Sequence, residues 1–209
     1  MSITSDISGL DVAEEVVLTP AGERILEAAS RLFYWYGIRA VGVERIAKEA
    51  QVIKKTIFDR FGSKDALVAA YLKRRDIRWR QRIRETLSRV EDNGPKAQLL
   101  AAFQVLEGWI ADENPRGCAF VNAYAEITDS QHPGYQVIMN QKRWLKGFFT
   151  EIAMRAGIPE PAALSEKLMI LYEGATVVNS MQLVEAPVAT ATALADSLIE
   201  SQLGLGEES

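Results

Sequence analysis

The chain has 209 residues, 48% of them hydrophobic, with 24 Lys plus Arg, 28 Asp plus Glu, 14 Gly, 7 Pro and 1 Cys. That composition excludes a disordered, collagenous or disulfide-stapled chain. No run approaches the roughly 18 apolar residues of a membrane span, so a soluble, non-membrane protein is expected. The net charge of −4 argues against a nucleic-acid partner only until it is divided. Residues 1–20 hold four acids and no base, residues 21–90 hold 17 bases against 8 acids, and residues 91–209 hold 7 against 16. A block of +9 is followed by a block of −9, and the first has the charge of a polyanion-binding segment.

Residues 1–19 read as a disordered acidic tail carrying Asp6, Asp11, Glu14 and Glu15. It has neither the basic start nor the apolar run of a secretory signal, and a lone Cys118 makes no intrachain disulfide, so the cytoplasm is expected. Thr19-Pro20 has the form of an N-cap with proline at the first helical position. Ile25, Ala28, Ala29, Leu32 and Phe33 then repeat at helical spacing up to Gly37, predicting a helix over 20–36. Two short helices follow, Val43 to Ala50 and Ile53 to Phe61, joined at Gln51-Val52 in the proportions of a helix-turn-helix. Ser63 caps a longer helix to about Val90, and Glu91-Asp92-Asn93-Gly94-Pro95 is a turn.

Five further helices are predicted, over about 96–112, 118–129, 135–156, 161–184 and 187–203. The third of these places Ile138, Gln141, Leu145, Phe148 and Ile152 on one face. No strand alternation is evident. The expectation is an all-α protein of about nine helices, with a three-helix helix-turn-helix head over 20–66 and a helical effector-binding and dimerisation domain over 67–209.

A helix-turn-helix binds DNA by laying its second helix in the major groove while flanking cations hold phosphates. Here that helix opens with Lys54, Lys55 and Thr56 and carries Arg60, all outward if Ile57, Phe58 and Phe61 supply the packing. Arg45, Lys48 and Lys64 stand nearby as phosphate ligands. The bland reading of the same residues is a solvated charged face.

The stretch from Arg24 to Leu72 resembles the DNA-binding domain of TetR-family transcriptional regulators. The resemblance is carried, without a gap, by Phe33, Gly37, Ile46, Ala47, Ala50, Val52, Lys54, Thr56, Phe61, Ser63, Lys64 and Leu67. It implies DNA contacts at Arg45, Lys54, Lys55, Thr56, Phe58, Arg60 and Lys64, a palindromic double-stranded operator, an effector pocket enclosed by the fifth to eighth helices, and a homodimer through the last two. The chain departs from the family pattern at several places. Gln51 stands where glycine is favoured. Gly42 and Ile53 replace capping serine or threonine, Phe58 replaces a tyrosine, and Asp59 adds a negative charge.

Two apolar faces on the eighth helix support the dimer independently. Leu164, Leu168, Leu171, Ala175 and Val178 form one, and Met169, Tyr172, Thr176 and Val177 the other; Ala191, Leu194, Ala195, Leu198 and Ile199 line the last helix. Trp109, Phe120, Asn122, Tyr124, Glu126, Trp144, Phe148 and Tyr172 are the candidate ligand-binding residues, with Asn122 and Glu126 paired at i, i+4. Aromatic residues at this spacing also read as plain core. His132 is the only histidine and Cys118 the only cysteine, too few for a triad or a metal site, and no phosphate loop occurs, so neither catalysis nor a cofactor is expected. The expectation is a ligand-responsive transcriptional repressor released from its operator by a small molecule. The alternatives are an effector-independent architectural or cell-division protein on the same scaffold, and a small helical enzyme or carrier.

Overall fold

The computed structural model describes residues 17–113 and 115–207. The expected acidic tail up to residue 16 lies outside the described residues. Nine α-helices are present among those described: α1 (Pro20–Tyr36), α2 (Val43–Glu49), α3 (Lys54–Phe61), α4 (Lys64–Arg89), α5 (Gly94–Glu113), α6 (Ala119–Glu126), α7 (Pro133–Arg155), α8 (Pro161–Ser180) and α9 (Pro187–Glu207). The turn before α5 is a single 3-10 turn over Glu91–Asn93. No helix is long and apolar enough to cross a membrane.

The helices pack as two units. Among the described residues, one takes in 17–78 together with Ala119–Gln141; the other comprises Trp79–Cys118 and 142–207. The border expected after residue 66 therefore lies inside α4, as does the packing border at Arg78.

In the first unit, α1 starts where Thr19 Oγ1 accepts the Gly22 amide at 3.3 Å and Pro20 opens the helix. Its apolar stripe, Ile25, Ala28, Ala29, Leu32 and Phe33, is at most 5% exposed. Ile46 and Ala47 of α2, Ile57 of α3 and Leu67, Val68, Tyr71 and Leu72 of α4 are buried as well. Phe33 and Tyr71 meet with ring centroids 5.9 Å apart. Ser63 Oγ accepts the Ala66 amide at 3.0 Å, the expected cap of α4.

The second unit is built on Trp79, Ile83 and Leu87 of α4, with α5, the later turns of α7, α8 and α9 around them. Aromatic rings run through it in contact: Trp79 with Trp109 at 5.6 Å and with Tyr172 at 5.9 Å, Phe103 with Tyr172 at 5.8 Å, Phe148 with Phe149 at 5.5 Å and Trp144 with Phe148 at 5.8 Å. Lys96 at the start of α5 pairs with Asp196 and Glu200 of α9, which holds its ammonium above the usual lysine range.

The predicted stripe of α7 is buried throughout. On α8, Leu164, Leu168 and Ala175 are buried, but so are Tyr172 and Thr176, which the sequence placed on a second, outward apolar face. The outward stripe is instead Ile170, Gly174, Val177 and Met181, spaced 4, 3 and 4 residues apart, with Ile170 72% exposed and Met181 60%. α8 also ends four residues earlier than expected. Gln182 turns to φ +55°, and the amides of Gln182 and Leu183 close back on the carbonyls of Asn179 and Val178.

Candidate nucleic-acid interface

The turn between α2 and α3 is set by backbone geometry. Gln51 adopts φ +54°, the left-handed region that glycine enters without steric cost. Its amide bonds to the Lys48 carbonyl at 3.3 Å and that of Val52 to the Ala47 carbonyl at 3.0 Å, the paired closure of a Schellman C-cap. The departure from glycine thus leaves the turn intact and places a side chain where a Cβ is disfavoured. Gly42 and Ile53 occupy the N-caps of α2 and α3, and neither makes a side-chain cap. Arg24 Nε donates to the Ala50 carbonyl at 3.3 Å, tying α1 to the end of α2.

α3 buries Ile57 and leaves Ile53, Lys54, Lys55, Phe58, Asp59 and Arg60 exposed, with Thr56 half-buried. Phe58 was expected to help pack the helix; it is 39% exposed, because Ile57 alone faces the core squarely. The cations of this surface are not bare. Lys54 pairs with Glu44 of α2 at 2.5 Å, and Lys55 pairs with Asp59 one turn on at 2.7 Å. The hydrogen bond from the Lys54 ammonium holds the Glu44 carboxyl below its usual range. On α2, the Arg45 guanidinium lies 3.9 Å from the centroid of the Tyr36 ring, and Tyr36 is 55% exposed. Sequence reasoning missed Tyr36, since a cation–π contact between helices has no local signal. Lys64 donates to the Ile38 carbonyl at 2.6 Å, so its ammonium braces the turn after α1.

That same turn has a second brace. Both oxygens of Glu126, the last residue of α6, accept backbone amides: Oε1 that of Ile38 at 2.9 Å and Oε2 that of Arg39 at 2.7 Å. Gly37 sits beside it at φ +87°, where a Cβ would lie 3.1 Å from the carboxylate. Glu126, expected to pair with Asn122 toward a ligand, thus has backbone partners of its own. The Glu126 carboxylate is committed to the backbone, Asn122 is exposed, and the exposed Tyr124 ring rests against Tyr135 at 6.0 Å. His132 Nε2 lies 3.4 Å from Asp65 Oδ1 at the start of α4.

The eight ligand candidates divide between the units. Phe120, Asn122, Tyr124 and Glu126 belong to the head unit, whereas Trp109, Trp144, Phe148 and Tyr172 belong to the aromatic interior of the other. Phe120 is buried. In the second unit the indole nitrogens of Trp79 and Trp144 and Oε2 of Glu173 are buried without a hydrogen-bond partner among the described residues. Glu173 Oε1 takes the Lys142 ammonium at 2.6 Å, and Cys118 Sγ lies 3.4 Å from the same nitrogen. Burial works against that ammonium, but its interactions with Cys118 and Glu173 outweigh it and keep Lys142 above the usual lysine range. Burial, with the same two groups adding to it, pushes the Tyr172 phenol well above its ordinary value.

A basic segment folded as three short helices, with an exposed, charged third helix after a tight turn, defines a helix-turn-helix DNA-binding protein. Residues 25–71 match the family profile of bacterial regulatory proteins of the tetR family. The HTH-type transcriptional regulator YjdC of Escherichia coli (strain K12) is 24% identical over 180 residues, covering 85% of this chain and 92% of that protein. Among solved structures, the TetR-family transcriptional regulator SCO4454 from Streptomyces coelicolor aligns with TM-score 0.76 and 29% identity over 90% of this chain and 96% of that one. The reduced form of E. coli NemR, at 22% identity and TM-score 0.72 over 85% and 96% of the two chains, shares the fold. Residues 25–71 thus carry a tetR-type helix-turn-helix domain, and the fold of the chain is the one seen in TetR-family DNA-binding transcriptional regulators.

Proposed function

We propose that the protein is a homodimeric, cytoplasmic repressor that leaves a palindromic operator when a small molecule binds its second unit. The observation that carries this reading is the exposed surface of α3, with Lys54, Lys55, Thr56, Phe58 and Arg60, flanked by Arg45 stacked on Tyr36. Lys64 serves it indirectly, by bracing the turn after α1. Two observations support the remaining parts. The outward apolar stripe of α8, with Leu194 of α9 also 51% exposed, is the kind of surface a second copy covers. The aromatic interior of the second unit holds buried indole N–H groups and a carboxylate oxygen that lack partners among the described residues, and such groups favour a ligand that meets them.

In mechanism, DNA selects one separation of the two α3 helices, about 34 Å or one helical turn between half-sites, and the effector selects another. The experiment is selection of bound genomic fragments with the purified protein, followed by titration in salt and with candidate ligands. A dimer that neutralises roughly six to ten phosphates shows a log–log salt slope of about −5 to −9. A flat salt response overturns the operator reading. A fragment still held across a broad ligand panel overturns the effector reading.

A further inference from the structure

α3 presents two large apolar side chains to solvent where a DNA reader makes its base contacts. Ile53, at the N-cap, is 70% exposed, and Phe58, beside Lys54 and Lys55 on the helix surface, is 39% exposed; Ile57, which does serve the core, is 0% exposed. Isoleucine at an N-cap also forgoes the side-chain acceptor that Ser, Thr, Asp or Asn supplies there. A large apolar residue that breaks a local rule and stays exposed marks a surface with another use.

The neighbouring charges narrow that use. A cation that reads guanine must offer its donors to the base edge, but Lys54 is engaged by Glu44 and Lys55 by Asp59. The end of the helix that enters the groove first is therefore electrostatically answered from within and apolar at its tip. The major groove offers one apolar group on the base edges, the C5-methyl of thymine.

We propose that Ile53 and Phe58 make this protein a reader of thymine methyl groups, so that each operator half-site carries thymine at the positions facing the N-terminal end of α3. The inference rests on operator binding by α3 and adds the chemistry of its specificity.

The test uses the full-length protein and the operator fragment it selects, with deoxyuridine replacing thymine one position at a time, which removes the methyl and leaves base pairing unchanged. Uracil at one or two positions per half-site is expected to weaken binding about fourfold for each methyl, the equivalent of one buried methylene-sized group. In Ile53→Ser or Phe58→Ser the thymine-to-uracil difference at the matching position falls below about twofold, as expected when two groups in contact are removed in a cycle. Both side chains lie outside the core, and an unchanged thermal midpoint shows that each variant folds. If all uracil-substituted operators bind like the parent, or the difference persists in both variants, methyl reading is overturned while operator binding stands. If no fragment is selected at all, operator binding itself fails, a distinct result.

Discussion

Replacing Glu126 with alanine removes the acceptor for two backbone donors at once. The bonds to Ile38 and Arg39 are 2.9 and 2.7 Å long, and both amides share this one carboxylate as their side-chain acceptor among the described residues. Ile38 is 7% exposed, so its amide does not readily regain water, and an unmet buried donor costs about 1–3 kcal/mol. Arg39 is exposed and rehydrates, so its share is the smaller net worth of one solvent-screened hydrogen bond, about 1 kcal/mol. The sum of roughly 2–4 kcal/mol lowers the thermal midpoint by roughly 4–16 °C in a chain of this size. Hydrogen exchange adds a local readout, with the Ile38 and Arg39 amides exchanging faster in Glu126→Ala while the amide of Gly22, capped by Thr19, stays protected. Glu126→Gln keeps one acceptor oxygen and turns an NH2 group on the other donor, so it shows an intermediate loss. If both amides keep their protection in Glu126→Ala and the midpoint does not move, the carboxylate is not what holds this turn.

Three other outcomes are expected. Gln51→Gly relieves the φ +54° position and raises stability by about 1 kcal/mol in urea unfolding, a lower midpoint refuting the strain. Ile170→Glu together with Val177→Glu halves the mass seen by light scattering without loss of helical signal, and an unchanged mass refutes the α8 interface. Tyr172 holds its proton in the folded state above the ordinary value of about 10, at which the unfolded chain releases it. Stability therefore falls as pH rises above about 10, by up to about 1.4 kcal/mol per pH unit, until the folded phenol also ionises. Tyr172→Phe removes this slope, and parallel stability curves for the two proteins contradict it.

The fold was legible wherever two local signals agreed. Thr19-Pro20 with the Ile25–Phe33 period defines α1 to the residue, and the stripe of α7 is buried as its spacing predicts. Boundaries set by distant partners were not legible. α6 was expected to reach residue 129 but ends at Glu126, whose carboxylate serves amides 87 and 88 positions away. α8 was expected to reach residue 184, whereas Gln182 turns left-handed and Leu183 and Val184 are exposed. At the DNA-facing surface, Lys55 and Asp59 stand at i, i+4 and their pairing is readable from spacing, but Lys54 finds Glu44 only across the folded turn. The second face of α8 was misassigned for the same reason: apolarity alone does not tell a side chain facing its own core, as Tyr172 does, from one facing outward, as Ile170 does.

The composition of the head unit has a consequence for how the protein is made. Its packing joins residues 17–78 to a piece, Ala119–Gln141, that the ribosome reaches only after the whole of α5. At bacterial synthesis rates the helix-turn-helix waits on the order of several seconds for the residue that braces its first turn. A nascent or truncated chain ending before Glu126 thus carries the three short helices without that brace. Full bracing of the turn after α1 is in this way deferred until the chain has been made through Glu126.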